Sequence, residues 1–180
     1  MNTLPEPVQV MLGVYTRNII VNYVVPRKTS LGMWKYTRGK HEITVNNNLQ
    51  GVQFMVTLVH EIAHACTWDH YKNTVKPHGP EWKDQYRQLM LPLMQGYFDL
   101  NTDQALEDYM KNPPASSVRS LNIKRISNPT QKMVEDIAVG ETFTVTDGRK
   151  FTKLRKRKVK WECSDPTGKM WILGPGVCVF

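Results

Sequence analysis

Two histidines four residues apart, with a glutamate beside the first, stand inside an apolar stretch: His60, Glu61 and His64 in "LVHEIAHACTWDH", residues 58–70. Imidazoles and a carboxylate are costly to bury without partners. Residues of these types in this setting therefore call for something that holds them. On a helix, positions i and i+4 project from one face about a turn apart. Two imidazole nitrogens so placed can converge on one cation, and tetrahedral zinc accepts them at about 2.0–2.1 Å. Glu61 is placed to reach a water beside the metal rather than the metal itself. This H-E-x-x-H spacing is the arrangement of zinc hydrolases. Zinc lowers the pKa of water, and the carboxylate takes the proton as that water attacks a carbonyl. His60 and His64 are thus candidate metal ligands and Glu61 a candidate general base.

A catalytic zinc site needs a third protein ligand and an open fourth position. Three residues offer themselves. His70 would give the metzincin spacing, but that pattern wants glycine where Thr67 stands, at a sharp turn favouring positive φ. Glu81 could ligate from a following helix, although a first-turn acid needs no further role. His78 lies in "KPHGPEW", just before a helix that Pro80 would start. Turn chemistry and helix placement favour His78.

The elements that must position these residues follow from periodicity. "GVQFMVTLVHEIAHACTW", 51–68, has no internal proline and brings Phe54, Leu58, Ile62 and Ala65 to one face, which predicts a helix. Residues 72–79 read as a loop. "PEWKDQYRQLMLPLM" predicts a second helix with a stripe of Trp82, Tyr86, Leu89, Met90 and Leu93. "TDQALEDYM", 102–110, predicts a third, and the proline-led N-terminal stretch a short one. Upstream, 18–25 reads as a strand, and 30–37 with 41–48 as a hairpin about "RGK". "HEITVNN" is offered as an edge strand beside the metal, able to pair with extended substrate. Tyr71, His70 and Lys76 are candidate stabilisers of a transition-state oxyanion.

"KNPPASS" stops the helical region and reads as a linker. Beyond it the pattern turns β-like, with "DG" and "DPTG" turns. The expected organisation is a first domain over 1–112, a linker over 113–120 and a small β module over 121–180. Charge divides the same way. Of the net +8, residues 1–114 carry +1 and residues 115–180 carry +7. A basic appendage suggests a polyanion partner, nucleic acid above all. The basic run "RKFTKLRKRKVKWEC", 149–163, is the candidate contact, with Lys153, Arg155 and Arg157 on one side of an exposed strand. Trp161 and Trp171 could stack on bases, but they serve better as the core of the module. Cys66, Cys163 and Cys178 form no C-x-x-C pair, which excludes a zinc ribbon and a disulfide framework. No basic n-region or membrane-length apolar run is present, so a cytoplasmic protein is expected, with no membrane partner.

"TLVHEIAHA" followed by "HGPEW", and preceded by "HEITVNNNL", resembles the SprT-like zinc metallopeptidases, the Spartan-related family. The likeness covers roughly residues 15–96. In that family a third ligand comes from an H-G-x-x-[FW] element after the motif helix, and His78, Gly79 and Trp82 match it. The resemblance implies a zincin-like fold, zinc on His60, His64 and His78, and peptidase activity. Its best-known members cleave proteins crosslinked to DNA, which implies DNA-associated proteins as substrates. The β-rich tail looks like that of shorter bacterial members. The expected protein is α+β: a zincin-like domain with a short mixed sheet, then an antiparallel β module. Its expected function is that of a zinc-dependent endopeptidase. The rival reading is a non-catalytic zinc-containing protein that binds nucleic acid through residues 149–160 and acts in regulation. Manganese or another divalent ion could replace zinc.

Overall fold

The computed structural model describes residues 4–27, 29–115 and 130–180. They belong to two compact units, 1–127 and 128–180. The predicted linker lies mostly outside the described residues. Among the described residues no helix is long and apolar enough to cross a membrane.

The first unit runs α1 (Glu6–Tyr15), β1 (Ile19–Val24), β2 (Gly32–Thr37), β3 (Lys40–Asn46), α2 (Gly51–Tyr71), α3 (Pro80–Met90) and α4 (Leu100–Lys111). A single 3₁₀ turn, Leu91–Met94, follows α3 where Pro92 interrupts the α pattern. The predicted hairpin forms, with Thr37 opposite Lys40 across a two-residue turn. β1 then pairs parallel to β3, Ile19 opposite His41, so the order is β1-β3-β2. This corrects the edge assignment. "HEITVNN" is the central strand, and β2 is the edge that lines the cleft described below. Asn46 ends β3 by donating to Ser30 O at 3.0 Å and accepting from Arg27 Nε at 3.1 Å.

α2 is long because nothing inside it breaks the ladder. It ends where Lys72 takes φ 52°, ψ −128°, a conformation foreign to helices. Its buried residues Met55, Val56, Val59 and Ile62 meet Ile43 and Val45 of β3 and Trp82, Tyr86 and Met90 of α3 in one core. Pro80 opens α3 at a position whose missing N–H costs nothing. Asp99 caps α4, its carboxylate accepting from the Thr102 N–H at 3.1 Å.

The second unit has a 3₁₀ turn, Val134–Asp136, then β4 (Thr142–Thr144), β5 (Lys150–Arg157), β6 (Lys160–Ser164) and β7 (Met170–Leu173), in the antiparallel order β4-β5-β6-β7. Val145 and Val179 form a bridge that returns the C-terminal segment toward β4. Val134, Phe143, Val145, Phe151, Cys163 and Val179 form the core, with Trp161 and Trp171 packed on it. Both indoles are engaged: Trp161 Nε1 donates to Glu135 and Trp171 Nε1 to Asp165. Lys153 is not on an exposed strand face. Lys153 shares the inward face with Phe151, two residues before it, and is 1% exposed, while a register shift between Lys153 and Arg155 separates it from the exposed Arg155 and Arg157.

Candidate metal site

The 3.6-residue period of α2 sets His60 and His64 on one face, and the loop 72–79 returns His78 to them. His60 Nε2 lies 3.1 Å from His78 Nε2, and His64 Nε2 lies 3.0 Å from it. His78 reaches this position through a left-handed backbone, φ 56°. Gly79 next to it has an ordinary φ of −71°. Its missing side chain serves close approach, since a Cβ there would sit 2.9 Å from the Lys76 carbonyl. Trp82, wholly buried, forms a floor beneath the three imidazoles, with ring centroids 4.6, 5.3 and 4.7 Å from His60, His64 and His78.

Electrostatics leave these imidazoles neutral. Burial, helped by the neighbouring imidazoles, pulls His60 down to about 3; burial and His78 do the same to His64. Burial and then Lys83 lower His78. Three neutral imidazoles whose Nε2 atoms meet at about 3 Å cannot all be satisfied by one another, because His78 Nε2 has either one proton or one lone pair to share between two contacts. His60 Nδ1 is also buried without a hydrogen-bond partner among the described residues. A cation resolves the crowding. Imidazole nitrogens around tetrahedral zinc lie about 3.3–3.4 Å apart at the usual bond lengths, close to the separations found. The donor set fits a metal ion, and His60, His64 and His78 are the residues that could hold it.

Glu61 is buried beside them. Burial pushes its carboxyl up to about 7, against the Trp34 backbone hydrogen bond and the Arg27 charge, which pull it down. Strand β2 crosses directly over this carboxylate. A Cβ on Gly32 would stand 2.6 Å from Glu61 Oε1, so only glycine leaves room. Gly32 and Trp34 escaped the sequence reading, although a glycine inside a strand is a signal of close approach.

A cleft of about 420 Å³ opens over the site. Its lining includes Met33 and Trp34 from β2, Trp68, and the basic pair Lys72 and Lys76. Of the oxyanion candidates Lys76 lines this cleft. Tyr71 and His70 do not; His70 Nδ1 instead donates to Cys66 O at 2.8 Å in the last turn of α2. The helix continues through Thr67, whose hydroxyl donates to Ala63 O, so the metzincin turn is absent and His70 stays away from His60 and His64. Glu81 stays in the first turn of α3 and is not among the converging donors. Cys66 is also outside them.

Three converging imidazoles beside a buried carboxylate, in a mixed α/β unit, could hold a metal ion. Residues 15–103 match the model of the SprT-like family, consistent with a member of that family, and that likeness suggests a metallopeptidase-like domain. No curated protein matches the chain.

Proposed function

We propose that the protein is a zinc-dependent endopeptidase, with His60, His64 and His78 holding the metal and Glu61 as general base. The observation that carries this reading is the convergence of three neutral imidazoles beside a carboxyl poised at about 7. When bound, zinc would supply a Lewis acid that polarises the scissile carbonyl and acidifies water. Glu61 accepts a proton from the attacking water at its carboxylate and passes it to the amide nitrogen as the C–N bond breaks. Trp34 orients that carboxylate through its backbone N–H. β2 offers an edge for an extended substrate, and Trp34, Trp68 and Met33 line the cleft beside it. A structural three-histidine site needs no carboxylate in this place.

The test combines metal analysis of purified protein with cleavage of an unfolded protein substrate. Stoichiometric zinc lost in His78→Ala but kept in His70→Ala, with hydrolysis abolished in Glu61→Gln, supports the reading. Hydrolysis by Glu61→Gln at the parent rate sinks it.

The partner proposal for residues 149–160 is narrower than charge alone suggests. Arg155 and Arg157 both pair with Glu162, Lys156 with Glu135 and Arg149 with Asp147. Lys150, Lys158 and Lys160 are exposed and remain for phosphates. Two or three such contacts give a log–log salt slope of about −2 to −3 on duplex DNA. A flat slope removes nucleic acid as a partner, and DNA-associated proteins as the substrate class with it.

A further inference from the structure

Trp34 is held in three directions. Its backbone N–H bonds the Glu61 carboxylate. Its ring lies nearly parallel to His64, with centroids 5.8 Å apart and planes 17° apart. Its indole Nε1 lies 3.1 Å from His41 Nδ1. An indole N–H only donates, so His41 Nδ1 accepts and the ring proton of His41 resides on Nε2. That nitrogen is 3.0 Å from Asp69 Oδ1, which therefore accepts. Asp69, His41 and Trp34 form a hydrogen-bonded chain with one direction and one tautomer. Its members come from α2, β3 and β2, and so tie the end of the histidine-bearing helix to the strand over Glu61. Tyr36 closes the group, 4.9 Å from His41 and 5.1 Å from Trp68.

We propose that His41 and Asp69 are positioning residues for the site. By fixing the Trp34 indole they fix the strand segment that holds Glu61 and the aromatic plane that backs His64. The proposal rests on the roles of His64 and Glu61 given above. An apolar side chain at position 41 would fill the same space but leave the half-buried indole N–H without an acceptor. Partners outside the ligand set commonly change metal affinity 10- to 100-fold, and this chain reaches His64 through a ring contact, so about tenfold is expected.

Asp69 is largely exposed, so replacing it leaves no cavity and its variants fold where His41→Leu could fail. The probes are cobalt(II) binding, read by its visible spectrum, and the Trp34 indole N–H resonance, assigned with Trp34→Phe. Asp69→Leu should weaken cobalt binding about tenfold, alter the cobalt bands and speed exchange of the indole proton at least tenfold. Asp69→Asn, which keeps an acceptor, should restore both within about twofold. Unchanged exchange in Asp69→Leu overturns the proposal. So does a fall in melting temperature with cobalt affinity and spectrum intact, which is what a merely structural latch would give. Failure of the parent to bind cobalt refutes the metal reading, and with it any positioning role toward a metal site; the indole exchange then reports only whether the hydrogen-bonded chain exists.

Discussion

The two units bury ionisable groups in opposite ways. In the second, the Lys153 ammonium donates to the carbonyls of Glu135 and Ile137 and lies 3.6 Å from the centre of the Trp161 ring. Every element of that environment is supplied by the unit itself. In the first, three neutral imidazoles turn their Nε2 atoms toward one another, and His60 Nδ1 has no partner among the described residues. Burial lowers Lys153 as it lowers the histidines, so depth alone does not separate them. Completeness of the partner set does. A buried ionisable group answered by its own fold is architecture, whereas a cluster left unanswered is shaped for something the chain does not provide.

The comparison breaks most visibly at Glu61. If the first site is chemical, Glu61→Gln keeps its zinc and loses about 10²- to 10⁴-fold in peptide hydrolysis, the usual worth of a positioned base. The check is a steady-state cleavage rate at equal metal content. Parent-like hydrolysis would make the cluster as architectural as Lys153.

Metal removal comes next. Free zinc at about 100 times its dissociation constant should stabilise the first unit by about 2.7 kcal/mol. Thermal unfolding with and without chelator reads this, and His78→Ala should abolish the difference while His70→Ala preserves it. Amides of β5 and β6, followed by hydrogen exchange, should not respond to chelation.

Lys153→Met sharpens the other side. It leaves the Glu135 and Ile137 carbonyls without their donor, at a cost of about 1–3 kcal/mol. Faster hydrogen exchange across β5 and β6, with zinc content unchanged, is the expected result. Equal protection in the variant would show that the ammonium is tolerated rather than required.

Local patterns exposed much of this in the sequence. The helical period over 51–68 placed His60 and His64 together, and the His-Gly-Pro turn brought His78 within reach. Strand order was hidden, because β3 becomes central only through a parallel partner twenty-two residues before it, His41 pairing with Ile19. Lys153 misled because alternation assumes an unbroken register, and the shift before Arg155 breaks it. The Asp69–His41 contact spans 28 residues with no periodicity to announce it. One hint was present: His41 shares the inward face of β3 with Ile43 and Val45, a place where an imidazole needs a reason.

The smallest effect concerns Glu135, which completes the partner set around Lys153. Its bond from Lys156 Nζ, then that from Trp161, hold its carboxyl below the ordinary value of 4.5, with the Lys156 and Lys153 charges adding to this. A depressed carboxyl stabilises the folded unit above its unfolded pKa, and that contribution fades as pH falls through the lower folded value. Glu135→Gln should therefore cost the second unit less than about 1 kcal/mol near pH 7, as a partly exposed pair would. The deficit should be constant above about pH 5 and vanish in acid below the depressed value. Hydrogen exchange of β6 in parent and variant across that range measures it. A deficit that persists in acid would mean that Glu135 acts by shape, and that the ammonium of Lys153 needs its carbonyls and aromatic ring but no counter-charge.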